Sequence, residues 1–514
     1  MLGNNSSITV PGVGSRFRAR NILFNIIGQI IPIVVGLLAI PFVIQHLGVE
    51  TFGILSIAWM LLGYFTIFDL GLGRATTKFI SEELKNGLTD NLGSLFWTSC
   101  GMNFILGIVG GLIIFSVSSF LAESVFKISP GLIPAARTVF MILAVSCPVV
   151  LVSTAFRGAL EAAQQFKYVN IVVAASSSLS FLLPIVGILV GLDIRWIVFF
   201  LMASRLCGAL AFLFLCFLVF PILKKGISFN ILRIRQLIKF GGWISISNIV
   251  SPVLSYLDRF LIGSLISVTA VAYYTVPYEI GFRLSILPTS FAMTLFPSFS
   301  AAAPDSRKNM TGLYSHSVKI LLLLIGPIVA VLVLFAGDIL KLWLGAKFAE
   351  NSTIVLQIMA AGMVINSLAQ IPFALIQGFG RPDLTAKFHV LELLLYVPLM
   401  WLFVLNLGIV GGAIAWFIRV TFDALLLFFS SMKFIDSQIF FGIGLKRSVI
   451  LVSFLVCSLF GLSFISGMML VKIFISCGVI LMFAITSWRY VMEGAEKELI
   501  RSMALRIVGI EAVK

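Results

Sequence analysis

The chain has 514 residues, of which 60% are hydrophobic and only 11% charged, with 47 phenylalanines and 43 glycines. Soluble domains carry about a quarter charged residues, so the composition and a mean hydropathy of +1.11 exclude that class. The formal charge of +15 is scattered through short connections rather than gathered on one face, which argues against nucleic acid as a partner.

Residues 16–20 (Arg-Phe-Arg-Ala-Arg) precede an apolar run longer than the ~7–15 residues of a cleavable signal. This run reads as a retained first membrane helix. Stretches of about 20 apolar residues then give fourteen expected spans. They lie at 21–44, 52–74, 94–118, 138–158, 168–191, 196–221, 240–265, 270–298, 314–337, 353–377, 386–406, 409–432, 447–468 and 470–490. With the N-terminus inside, the inner segments hold 25 lysines and arginines and the outer ones 6, so both termini are expected to be cytoplasmic. The other five are four arginines inside the spans and Lys319, expected to snorkel to the cytoplasmic edge.

No connection is long enough to hold a soluble catalytic domain, so no enzyme is expected. The inner connection 222–239 places Ile227, Ile231, Ile234 and Ile238 at helical spacing with Arg and Lys between them. That pattern predicts an interfacial amphipathic helix drawn to anionic lipids. The tail repeats it at Leu499, Met503 and Ile507. Six cysteines lie in apolar runs without ligand-like spacing, which predicts small core residues and no metal site. His46, His316 and His389 are isolated and read as loop or core residues.

The informative residues are the charges within the spans, where each costs about 2.5–3.5 kcal/mol or more. Arg205, Arg259, Arg283 and Arg419 share the apolar stretches with Asp69, Asp258, Glu279, Glu392 and Asp423. Such groups face a bundle interior or a wet cavity and handle something polar. The arginines, with Arg74 at the inner end of the second span, are candidates to bind an anionic cargo. The carboxylates are candidates for proton or sodium coupling or for gating, and no other cofactor is expected. The alternative is structural ion pairing: Glu279 with Arg283 and Arg419 with Asp423 stand one helical turn apart. Asp258 and Arg259 are adjacent and are expected to diverge, and Arg205 has no acid in its span. Prolines at 252, 277, 288, 327, 372 and 398 lie inside spans, where they permit bends.

Two halves are related by weak matches at nearly one offset. Phe42, Ile44 and Leu47 correspond to Phe260, Ile262 and Leu265; Gly158 and Lys167 to Gly378 and Lys387; Pro184 and Arg205 to Pro398 and Arg419. The order predicts two six-helix lobes, 21–221 and 240–432, after a cytoplasmic segment 1–20. The linker 222–239 joins them, and helices at 447–490 and a cytoplasmic tail 491–514 follow.

Four segments carry a family resemblance. The stretch PFVIQHLGVETFGILSIAWML from Pro41, followed by FDLGLGRATTKFISE, resembles the opening of bacterial polysaccharide flippases. FRGALEAAQQFKYVN, YLDRFLIGSLISVTAVAYYTVPYEI and LNLGIVGGAIAW resemble later segments of the same proteins. The resemblance implies the multidrug/oligosaccharidyl-lipid/polysaccharide superfamily: an all-α membrane protein with two pseudo-symmetric lobes, two further C-terminal helices and alternating access. It implies transfer of an undecaprenyl-diphosphate-linked oligosaccharide across the bacterial inner membrane for surface polysaccharide such as lipopolysaccharide. A polysaccharide polymerase and a chain-length regulator are the partners it suggests. Guanidinium forks recognise a diphosphate better than ammonium does, and Arg205 with Arg419 would hold it. A cation-coupled multidrug exporter and a lipid II flippase of the same superfamily are the alternatives. The exporters typically carry a carboxylate in the first helix, and 21–44 has none.

The basic-residue split predicts that a cytoplasm-active reporter fused at Lys225 or after Lys514 is active and one fused at Val268 is silent. The reverse pattern in reporter assays would overturn the topology.

Overall fold

The computed structural model describes residues 31–32, 34–86, 91–300, 307–435, 443–463, 469–494 and 497. The basic segment 16–20, the start of the first span and the amphipathic tail pattern lie outside the described residues. The chain is all-α among the described residues and forms two compact units, 1–272 and 273–514.

The first unit contains α1 (Val34–Leu47), α2 (Val49–Phe68), α3 (Leu72–Lys85), α4 (Leu92–Phe120) and α5 (Ile133–Ala162). It continues through α6 (Phe166–Leu189), α7 (Ile194–Val219) and α8 (Ile231–Leu265). Apolar solvent gives helices in lipid little reason to associate, so small residues that let backbones approach become the contact points. At Gly107 a Cβ would meet the backbone nitrogen of Pro148 on α5 at 2.9 Å, and at Gly111 the Ala144 carbonyl at 2.6 Å. Gly158 lets α5 lie on α3, where the Gly73 carbonyl comes within 2.8 Å of the same construction. Gly53 and Gly63 leave room for Val268 and for Tyr256 of α8. The helix read as the seventh span therefore packs with the first unit, whose boundary falls at Ala272.

The second unit holds α9 (Val268–Arg283, which starts in the last residues of the first), α10 (Ile286–Ser300), α11 (Arg307–Leu334) and α12 (Ala336–Leu344). It is completed by α13 (Ala346–Gly378), α14 (Pro382–Ser431), α15 (Ile443–Ser463) and α16 (Met469–Thr486). Tyr314, fully buried, joins α11 to α14 through a 2.9 Å hydrogen bond with Ser431. α14 is two spans joined at Gly408, whose φ of 61° is open to glycine and costly for other residues. Counting its two arms separately, α2 with α3 and α9 with α10 each as one interrupted span, and leaving aside the short α12, the described helices correspond to fourteen spans. Nine described helices are long and apolar enough to cross a membrane as they stand.

Three expectations need correction. The second span is not continuous to residue 74: it stops at Phe68, and Asp69, Leu70 and Gly71 form a turn with left-handed backbone at the last two. The eighth span breaks at Leu284 and Ser285, next to Pro288, which lacks the N–H that would continue the ladder. The linker is not one amphipathic helix: a short 3-10 turn (Pro221–Lys225) ends at Gly226, and helix resumes only at Ile231. Its intervening residues are pinned to the first unit. Phe229 lies over Gly101, the Asn230 N–H donates to Thr98 Oγ1 at 3.0 Å, and Arg233 pairs with Glu83 at 2.8 Å. Lys319, 3% exposed, extends to Glu493 just beyond the last span at 3.0 Å.

Gly107→Ala forces α4 off the backbone of α5 and should cost about 1–3 kcal/mol. Gly478→Ala, with nothing within 4 Å, should stay within about 0.5 kcal/mol of wild type. Thermal unfolding of the detergent-purified variants checks the contrast.

Candidate functional site

Helical periodicity decides which membrane charges meet. On the first arm of α14, His389, Glu392 and Tyr396 fall on one face, three and four residues apart. The break at Gly408 folds the second arm back against the first. Arg419 Nη1 then donates to Glu392 Oε2 at 3.1 Å, and its guanidinium lies 5.4 Å from the centre of the Tyr396 ring. Glu392 is 1% exposed. Asp423 stands one turn beyond Arg419 on the same arm. Tyr278 of α9 packs edge-on to Trp416 at 6.1 Å and adds its hydroxyl to the surroundings of Arg419.

The expected pairing of Arg419 with Asp423 along one helix is thus replaced by a pair between arms. Glu392, 27 residues earlier in the chain, is the closer acid. His389 is not isolated, which corrects the sequence reading. The helical spacing of His389, Glu392 and Tyr396 was a signal available in the sequence.

Each remaining charge has a definable setting. Glu279 and Arg283 pair at 3.5 Å along α9, as the one-turn spacing suggests. Asp258 and Arg259 do approach, contrary to expectation: their side chains lie 3.7 Å apart, and the Arg259 backbone N–H donates to Asp258 Oδ1 at 2.7 Å. Arg259 also donates to the Ser255 carbonyl at 2.9 Å and stacks over Tyr256, which meets Tyr64 edge-on. Asp69 serves the turn after α2. Its carboxylate accepts the Gly73 N–H at 3.2 Å and the Thr154 hydroxyl at 2.9 Å, which caps α3 and ties it to α5. Arg74 is exposed on α3.

Arg205 differs from all of these. It sits on α7, half-buried, with Nη2 donating to Ser180 Oγ of α6 at 3.3 Å. Among the described residues no acid pairs with it. The facing stretch of α6, Ala174–Ser180, carries four serines; Ser176 lies against Gly208 of α7, and the buried Ser178 hydroxyl has no partner among the described residues. A guanidinium beside hydroxyls in an apolar stretch can donate to an anion with several oxygens.

The sequence profile described as polysaccharide biosynthesis protein matches residues 18–303, and the MatE profile matches 244–402. A Shigella flexneri protein described as an O-antigen transporter is 30% identical over 416 residues, covering 79% of this chain and 96% of that one. The lipopolysaccharide biosynthesis protein WzxC of Escherichia coli is 21% identical over 420 residues, covering 78% of this chain and 76% of its own. Among solved structures, the lipid II flippase MurJ in an inward closed conformation superposes with a TM-score of 0.70 at 15% identity, over 95% of this chain and 99% of that one. An inward-facing multidrug resistance MATE family transporter of the MOP superfamily gives 0.67 at 15% identity, over 82% and 99%. At that identity the likeness is one of fold.

Removing Arg419 strands the buried Glu392, which should cost about 3–5 kcal/mol. Arg419→Ala is therefore expected to lower membrane abundance and Arg419→Ala with Glu392→Ala to recover it. Arg205→Ala strands no acid and should accumulate like wild type. Quantitative immunoblots of membrane fractions check all three.

Proposed function

Because the chain belongs to the polysaccharide biosynthesis protein family, we propose that it is a flippase for a lipid-linked oligosaccharide. In this reading the cargo is an undecaprenyl-diphosphate-linked repeat unit. It moves from the inner to the outer leaflet of the bacterial inner membrane, with both termini of the flippase cytoplasmic. The observation that carries the reading is Arg205, an arginine in an apolar helix pair whose side chain donates to a serine. A cation held there without a counter-charge costs several kcal/mol, a cost that an anionic headgroup would offset on binding. A diphosphate offers paired oxygen edges to the guanidinium fork, and the hydroxyls of α6 can donate to its remaining oxygens.

The other membrane arginines are already engaged by Asp258, Glu279 and Glu392. They suit positioning or coupling better than first capture of an anion. Alternating access itself needs only differential affinity between states, and a proton or sodium gradient coupled through the carboxylates would set its direction. Anionic lipids at the inner surface, a polysaccharide polymerase and a chain-length regulator are the partners this reading assigns.

In a flippase-null strain, Arg205→Ala should abolish complementation of surface glycan at normal expression. Arg205→Lys should restore only part of it, because the charge remains and the planar fork is lost. Full glycan export by well-expressed Arg205→Ala would remove the anion site.

A further inference from the structure

In the orientation proposed above, the outer ends of the second unit's helices enclose a polar cavity of about 340 Å³. The buried Gln357 of α13 fixes its floor. Its amide donates to the Val333 carbonyl of α11 at 3.0 Å and to Ser463 Oγ at the end of α15 at 3.2 Å. Lys472 of α16 pairs with Asp338 of α12 at 3.2 Å and holds one wall. Two further charged groups line the cavity, Lys341 of α12 and Glu350 of α13. Both are exposed, and neither pairs with an opposite charge among the described residues.

The cavity stands where spans meet the headgroup layer. Leu334 ends α11, Glu350 is near the start of α13 and Lys472 near the start of α16. Leu342, next to Lys341, and Leu470, two residues before Lys472, are each 76% exposed and suit contact with acyl chains.

The charge pattern selects the ligand. Two lysines and two acids make the cavity neutral overall. A simple anion drawn to Lys341 would also face Glu350, and a simple cation drawn to Glu350 would also face Lys341. A molecule with opposite charges at its two ends meets a partner at each. Phosphate oxygens accept from lysine, and a primary ammonium brings three N–H donors to a carboxylate. Among the described residues no aromatic ring lines the cavity, so the cage that recognises a quaternary ammonium is missing.

We propose that this cavity binds the headgroup of a zwitterionic phospholipid carrying a primary amine. Lys341 and Lys472 hold the phosphate, Glu350 takes the ammonium, and the acyl chains descend beside Leu342 and Leu470. Asp338 keeps Lys472 in place. The lipid bridges α12, α13 and α16, and it is a resident of the second unit, whereas Arg205 lies in the first.

Thermal unfolding of the full chain in uncharged detergent reads the binding, because a ligand that binds only the folded state raises the midpoint. Dioctanoyl phosphatidylethanolamine should raise it saturably. Dioctanoyl phosphatidylglycerol and phosphatidylcholine should each need about tenfold more for the same shift, as should phosphatidylethanolamine with Lys341→Met or with Glu350→Gln, the loss of one charged hydrogen bond. Both variants should keep the lipid-free midpoint of wild type. Lys347→Met, at an exposed lysine outside the cavity, should change neither reading. Equal shifts from all three lipids, or unchanged titrations in both Lys341→Met and Glu350→Gln, would overturn the proposal. Water-soluble phosphoethanolamine reproducing the full shift would replace the lipid by a soluble ligand and overturn it too. None of these readings involves transport, so failure of the flippase reading leaves them in force.

Discussion

A charge in hydrocarbon needs a counter-charge, and that constraint arranges most of the polar interior. Arg259 turns back on Asp258 and a neighbouring carbonyl, Arg283 takes Glu279 from the turn before, and Arg419 crosses between helix arms to Glu392. Asp69 ends a helix so that its carboxylate can take up backbone donors. Once these are accounted for, two places stand out among the described residues where the balance is incomplete. One is a guanidinium with hydroxyls around it; the other is a carboxyl pair with one cation. The first lacks negative charge and the second lacks positive charge.

These two places occupy similar hairpins. α6 and α7 turn at Gly191, with φ of 77°, and the arms of α14 turn at Gly408, with φ of 61°. Pro184 and Pro398 precede the turns, and Arg205 and Arg419 follow them. The backbone device is shared while the facing helix differs: α6 offers serines where the first arm of α14 offers Glu392 and His389. One scaffold, repeated, thus holds a guanidinium beside a serine hydroxyl in one copy and an arginine paired with a carboxylate in the other.

Fourteen apolar runs and their order were legible in the sequence because lipid leaves hydropathy nearly undisturbed by tertiary context. Break points inside runs were not. Asp69-Leu70-Gly71 reads as apolar on average, and only the left-handed glycine and the capping carboxylate reveal a turn. The linker is partly as its spacing suggests: Ile231, Ile234 and Ile238 lie in helix at the start of α8, while Gly226, with φ of 139°, separates them from the turn before. At the site, Arg205 stood apart in the sequence because no acid lies in its own span. The partner of Arg419 did not, because contacts between arms depend on how a hairpin closes rather than on spacing along one helix. His389 was passed over as a lone residue, although it shares a helical face with Glu392.

Helix lengths in this molecule are unequal, and the bilayer must respond. α16 runs on into a π-helical turn, so the span Met469–Val491 has 23 residues and a length of about 34 Å, close to a hydrocarbon core of about 30 Å. α4, with 29 residues, and α13, with 33, reach about 44 and 50 Å. Trp488, Arg489 and Tyr490 directly after α16 are residue types that settle at headgroup depth. Lipid beside α16 therefore needs little adjustment, whereas the long helices tilt or protrude. The annulus around the protein is then uneven, its acyl chains standing nearly undisturbed along α16 and having to follow longer or inclined surfaces along α4 and α13.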